Sequence, residues 1–127
     1  MTILVVEDSK VLSLAATRAL IKAGYQVTTA VDGEEALRIT HEILPDLVLL
    51  DMMLPKVTGL DVLRSLKRDP RTRDIPVIVI SGLSQANRER LIKEGAAAFL
   101  EKSQRILDND SLELIEAVKR VFASTSK

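Results

Sequence analysis

Five short apolar runs, separated by segments with helical punctuation, constrain the fold of this chain more than any other feature. They are Ile3–Val6, Tyr25–Thr29, Leu47–Leu50, Ile75–Ile80 and Ala97–Leu100. The runs are rich in Val and Ile and lack polar alternation, which suits strands buried on both faces of a parallel sheet. Ser9 can cap a helix reaching about Ala23, with Gly24 as its left-handed stop. Asp32-Gly33 opens a second helix ending near His41, before Pro45, and a third runs from Gly59 to Arg68, ahead of Asp69-Pro70. Ser84 can cap a fourth, which Gly95 stops after Glu94. Leu112, Ile115, Val118 and Phe122 recur at helical spacing in a fifth, with Glu116 and Arg120 paired on its other side. Strand and helix alternate throughout, and right-handed crossovers then predict a doubly wound α/β fold: a (βα)5 three-layer sandwich on a five-stranded parallel sheet.

Composition narrows the function classes. A chain of 127 residues makes one domain, expected over residues 1–123 with a polar tail at 124–127. With no cysteine, thiol catalysis, disulfides and cysteine-ligated zinc are excluded. Eighteen basic residues balance eighteen acidic ones, so no bulk field would draw in nucleic acid or an anionic membrane. The apolar runs are far too short to span a bilayer, and a run starting at Ile3 leaves no room for a signal peptide. A cytoplasmic setting is the expectation. His41, the lone histidine, reads as solvated and without a partner for catalysis or metal binding, and Arg64, Lys67, Arg68, Arg71 and Arg73, interleaved with acids, read as a solvated face.

In sheets of this kind ligands bind beyond the carboxyl ends of the strands, where the strand order reverses. Glu7-Asp8 follows the first strand, Asp51 the third, Ser81-Gly82 the fourth and Glu101-Lys102 the fifth. If the order is 2-1-3-4-5, three carboxylates converge at the switch point, with a hydroxyl and an ammonium alongside. Taken singly, Asp8 is a capping or turn residue, Ser81 a turn serine and Lys102 a surface lysine; together they share one sheet edge. Two carboxylates about 4 Å apart repel by roughly 4 kcal/mol at an effective dielectric near 20, so such a group calls for counter-charge. Lys102 supplies one positive charge. A divalent cation supplies the rest, and a set without His or Cys favours Mg²⁺, with Mn²⁺ as the alternative. An acidic cleft of this kind suits phosphoryl transfer, with the carboxylate of Asp51 as nucleophile.

These residues resemble the receiver domain of two-component response regulators, the CheY-like family, whose sheets have the flavodoxin-like order 2-1-3-4-5. The resemblance runs from Ile3 to about Phe122. It rests on Glu7-Asp8, on DMMLPKVTG with Pro55 and Gly59 four and eight residues after Asp51, on Ser81, and on Lys102. Phe99 falls where the family has a switch aromatic. The resemblance implies that Asp51 accepts a phosphoryl group from the phosphohistidine of a sensor histidine kinase or a histidine phosphotransfer protein. Mg²⁺ would be held by Asp8, Asp51 and the backbone carbonyl of Met53, with Glu7 acting through metal-bound water. Ser81 would then move toward the phosphoryl group and Phe99 turn inward. The face of helix 4, strand 5 and helix 5 would thereby change for a downstream protein target or a phosphorylation-dependent homodimer. No separate substrate would be turned over.

Three features depart from the pattern or modify it. Ser103 stands where the family usually has a proline after the lysine, so a trans bond is expected there. SQRILDND is longer than the usual connection of about 4–6 residues. Met53 cannot orient a hydrolytic water, so slow loss of the phosphoryl group is expected. A haloacid dehalogenase-type phosphatase would need an aspartate where Met53 stands, and a nucleotide- or flavin-binding domain would not place Glu7-Asp8 after its first strand. A degenerate receiver used only as an interaction module is the remaining alternative. Whether the receiver stands alone or forms the N-terminal part of a longer protein is open.

Overall fold

A computed structural model of the chain describes residues 1–54, 57–82, 88–101 and 112–125. Its elements are β1 (Thr2–Val6), α1 (Lys10–Lys22), β2 (Gln26–Ala30), α2 (Gly33–Ile43), β3 (Leu47–Asp51), α3 (Gly59–Arg68), β4 (Val77–Ser81), α4 (Arg88–Lys93), β5 (Ala98–Glu101) and α5 (Leu112–Thr125). All strand pairs are parallel, in the order β2-β1-β3-β4-β5. The expected doubly wound sheet is therefore present.

Alternate residues of each central strand feed opposite cores. Ile3, Val5, Leu47, Leu49, Ile78 and Ile80 pack under α1 and α5. Leu4, Val6, Val48, Leu50, Val77 and Val79 pack with side chains of α2, α3 and α4. A strand covered on both sides has no use for polar alternation, which explains LVLL and VIVI. β2 departs from the expectation, because only Ala30 of QVTTA is buried. It is an edge strand, and its outer positions face water. β4 begins at Val77 rather than Ile75 and continues through Ser81, and β3 includes Asp51. The polar residues at these ends are thus ladder residues, with Asp51 in register with Ile80.

Capping follows the sequence closely. Ser9, Asp32 and Thr58 each accept a hydrogen bond from the backbone N–H three residues on, and Gly24 and Gly95 take positive φ after α1 and α4. α2 runs two residues past His41 and ends on Leu44, whose φ of 45° is left-handed. In α5 the buried residues are Leu114, Ala117, Val118, Val121 and Phe122, while Leu112 is exposed, so the core-facing stripe is rotated from the expected one. Phe122 stacks at a tilt on Tyr25, with ring centroids 5.6 Å apart. Ser84, Pro55, Lys102, the Lys102–Ser103 bond and SQRILDND all lie outside the described residues.

His41 is not a solvated bystander. Its Nε2 lies 2.7 Å from Asp69 Oδ2, just past α3, and its Nδ1 lies 2.8 Å from the Leu37 carbonyl. Both neighbours are acceptors, so only the imidazolium satisfies both at once. The Asp69 hydrogen bond, aided by the Leu37 carbonyl, raises the His41 pKa above its ordinary 6.5, against burial and Arg71. The Arg71 amide, followed by His41, lowers Asp69 to about 2. Because the His41 value is raised on folding, its contribution is complete below 6.5 and is lost as pH rises through the folded value. The Asp69 contribution is complete above 3.8 and is lost as pH falls through about 2. A His41→Gln variant should therefore melt below the parent by a margin that is widest near pH ~5 and narrows by pH ~8.5. A margin that stays constant across that range would refute the latch.

The basic residues of α3 also depart from a simple solvated face. Arg64 forks onto Glu94, with Nε to Oε2 at 3.0 Å and the second nitrogen to Oε1 at 2.9 Å. Lys67 donates to the carbonyls of Arg73 and Ile75 at 3.0 and 2.8 Å, and burial lowers its pKa.

Candidate functional site

The site is built where β1 and β3 part company, β1 leading outward to β2 and β3 to β4. Glu7 continues β1, its N–H donating to the Ala30 carbonyl at 3.0 Å. Its carboxylate accepts from the Ser9 N–H at 3.0 Å, at the mouth of α1. Asp8, next along, is exposed. Asp51 ends β3 and is only 2% exposed, and Glu7 is 7% exposed. One carboxylate oxygen from each of Glu7, Asp8 and Asp51 lies within 4.8 Å of the others. The sequence expectation that these three converge is met by the geometry.

Gly59 explains how the chain closes around Asp51. A Cβ at this position would lie 2.5 Å from Met52 Cα and 2.6 Å from the Asp51 carbonyl oxygen. Only glycine lets the start of α3 approach the end of β3 this closely, and its N–H also donates to the Met52 carbonyl at 3.3 Å. Asp51 Oδ1 accepts from the Met53 N–H at 3.0 Å, which fixes the carboxylate against the loop that follows it. The two methionines separate: Met52 is buried in the α2–α4 core, while Met53 is 62% exposed at the rim.

Ser81 is fully buried at the end of β4, in register with Glu101. Phe99 lies on β5 opposite Val79, half-buried against the α2–α4 core. A small hollow between α1 and the sheet, lined by Val5, Leu12, Ala16, Leu49 and Ile80, abuts the buried Glu7 and Asp51. Three hard oxygen donors with no His or Cys suit a divalent cation of the Mg²⁺ class, so the donor set fits the expected metal. No local pattern announces the Arg64–Glu94 and His41–Asp69 pairs, whose partners stand 30 and 28 residues apart.

A five-stranded 2-1-3-4-5 sheet with an acidic cluster at its switch point defines a receiver-type fold. The chain belongs to the response regulator receiver domain family, whose model matches residues 3–118. It is 43% identical over 83 residues to the DNA-binding dual master transcriptional regulator RpaA of Synechocystis, covering 65% of this chain and 34% of that protein. It is 38% identical over 103 residues to the polar-differentiation response regulator DivK of Brucella anthropi, covering 80% of this chain and 83% of that one. The chain thus spans about a third of RpaA but most of DivK. Among solved structures, it matches the signal receiver domain of a signal transduction histidine kinase from Syntrophus aciditrophicus. The TM-score is 0.86 at 32% identity, with 99% of this chain and 92% of that one covered. The response regulator TrrA of Thermotoga maritima, solved with Mg²⁺-BeF, matches at TM-score 0.81 and 31% identity, covering 94% and 97% of the two chains. No helix among the described residues is long and apolar enough to cross a membrane.

Proposed function

We infer that residues 1–123 form a phosphoacceptor receiver of a two-component phosphorelay, acting in the cytoplasm, with Asp51 as the residue that carries the phosphoryl group. The observation that carries this reading is a carboxylate 2% exposed, at the switch point, whose oxygen lies within 4.8 Å of two other acids. An Asp51 oxygen forms the new bond to phosphorus while the nitrogen–phosphorus bond of a donor phosphohistidine breaks, and the released imidazole keeps the electron pair. The donor is a sensor histidine kinase or a histidine phosphotransfer protein. Glu7, Asp8 and Asp51, with the Met53 backbone carbonyl, would hold Mg²⁺ (or Mn²⁺), which when bound neutralises charge on the phosphoryl oxygens. The Met53 N–H keeps the Asp51 carboxylate oriented for attack. Ser81 donates to one phosphoryl oxygen, and Lys102, which follows β5 in sequence, pairs with another.

Ser81 and Phe99 sit on adjacent strands, so movement of the hydroxyl toward a phosphoryl group changes the space beside the ring. That relays the event to the face of α4, β5 and α5, where a downstream protein target or a second copy reads it. Like other receivers, the domain turns over no separate substrate, and it makes no nucleic-acid or membrane contact of its own.

Incubation with acetyl phosphate and Mg²⁺, read by intact mass, tests the assignment. One phosphoryl adduct is expected, and chelation of Mg²⁺ before mixing should abolish it. Once the donor is removed, the adduct should outlast many minutes, because the exposed Met53 side chain cannot direct a water at phosphorus. A half-life of seconds would overturn the slow-loss reading. Absence of any adduct would leave the interaction-module alternative, and turnover of phosphate esters would favour the phosphatase.

A further inference from the structure

The three methionines of the chain stand in three different settings. Met52 is 8% exposed, and its Cε lies 3.0 Å from where a Cβ on Gly59 would stand. Met1 is 61% exposed but precedes β1 at the amino edge of the sheet, where its carbonyl accepts from the Gln26 N–H at 3.0 Å. Met53 is the methionine that joins exposure to the acidic site. Its side chain is 62% exposed, while its own N–H holds Asp51 Oδ1 at 3.0 Å. That bond fixes the backbone of residue 53 against the carboxylate, so a chemical change on the side chain takes place beside Asp51. The chain has no cysteine, which leaves thioethers as its most readily oxidised sulfur groups.

We propose that Met53 is a redox modification site, through which hydroperoxides shorten the lifetime of a phosphoryl group on Asp51. The thioether sulfur attacks the terminal oxygen of the hydroperoxide, forming an S–O bond as the O–O bond breaks. Sulfur gives up two electrons; the hydroperoxide is reduced and leaves as water or an alcohol, taking the proton of the transferred oxygen. The product is a sulfoxide, which methionine sulfoxide reductases reverse. A thioether is a weak acceptor and holds water poorly, whereas a sulfoxide is polar and its oxygen accepts hydrogen bonds. Beside Asp51 that oxygen can bind one hydrogen of a water and leave the water's lone pair free for phosphorus. The effect on lifetime rests on the phosphoacceptor reading above, but the selectivity of oxidation does not.

Brief treatment with hydrogen peroxide, followed by peptide mass mapping, tests the site. Met53 should gain an oxygen roughly tenfold or more faster than Met52, and equal rates would overturn the assignment. Treated and untreated chains, freed of peroxide, are then phosphorylated with acetyl phosphate and Mg²⁺, and decay of the adduct is followed by intact mass after the donor is removed. Oxidation should cut the half-life by roughly threefold or more, well short of full general-base assistance. Methionine sulfoxide reductase should restore it. Met53→Leu, which keeps Met1 and Met52 oxidisable, should show the same half-life with and without peroxide treatment. An unchanged or longer half-life in the oxidised parent, or a peroxide effect that persists in Met53→Leu, would overturn the proposal. Failure of the untreated parent to form an adduct would overturn the phosphoacceptor reading and the lifetime effect with it, while the peptide map still decides the modification site.

Discussion

Asp51→Asn is expected to abolish the phosphoryl adduct formed with acetyl phosphate and Mg²⁺, and at the same time to raise the melting temperature of the chain without metal. The amide keeps the shape of the side chain and can still accept from the Met53 N–H, now 3.0 Å from Oδ1. It lacks the anionic nucleophile, so no bond to phosphorus forms. The stability gain has a separate cause. Three carboxylate oxygens within 4.8 Å of one another repel, and Asp51 is the most buried of the three. Removing its charge relieves on the order of 1–2 kcal/mol once solvent screening at the exposed Asp8 is allowed for. For a domain of this size that is roughly 4–8 °C in melting temperature. On the proposed function, Mg²⁺ should stabilise the parent more than the variant, since it would bind the folded state through the carboxylate that the variant lacks. Intact mass and thermal unfolding with and without Mg²⁺ check both halves. An adduct that survives on the variant would move the phosphoacceptor elsewhere, and a lower melting temperature would contradict the repulsion.

Gly59→Ala should be a strongly damaging single-methyl substitution, with its effect concentrated at the acidic site. The added Cβ would meet Met52 Cα at 2.5 Å and the Asp51 carbonyl oxygen at 2.6 Å. Both are backbone atoms at the end of β3 and its exit, and neither can rotate away. Either α3 retreats from the sheet or the end of β3 is displaced. Overpacking of this kind costs about 1–3 kcal/mol, or roughly 4–12 °C in melting temperature. The distinguishing result is kinetic: phosphorylation by acetyl phosphate should slow even at temperatures where the variant is fully folded, because the displaced backbone carries the Asp51 side chain with it. A variant that melts with the parent and is phosphorylated at the parent's rate would show that the approach is looser than the distances indicate.

Much of this was legible from local pattern. The runs ILVV, LVLL and VIVI mark central strands because a strand covered on both faces must be apolar at every position. Ser9, Asp32, Gly24 and Gly95 mark helix ends because capping chemistry is local. The convergence of Glu7, Asp8 and Asp51 was legible for a related reason: they stand at the ends of apolar runs, and parallel strands bring such positions to one edge. Sequence could not tell Met52 from Met53, since which of two adjacent methionines turns inward depends on the path of the chain after the strand. Nor could it show that Leu112 lies off the buried stripe of α5, because the stripe's orientation is set by what the helix packs against.

What the sequence alone determined is the order of elements, the fold class and the identity of the acidic cluster. These depend on periodicities of a few residues and on the topology of parallel sheets. Only the tertiary structure decided that Asp51 is a ladder residue closed over by Gly59, that His41 latches α2 to Asp69, and that Arg64 forks onto Glu94 just past α4. Those contacts join residues that are near in space but, for the two ion pairs, 28 and 30 positions apart in the chain. No local spacing records such a meeting; it exists only once the helices have docked on the sheet.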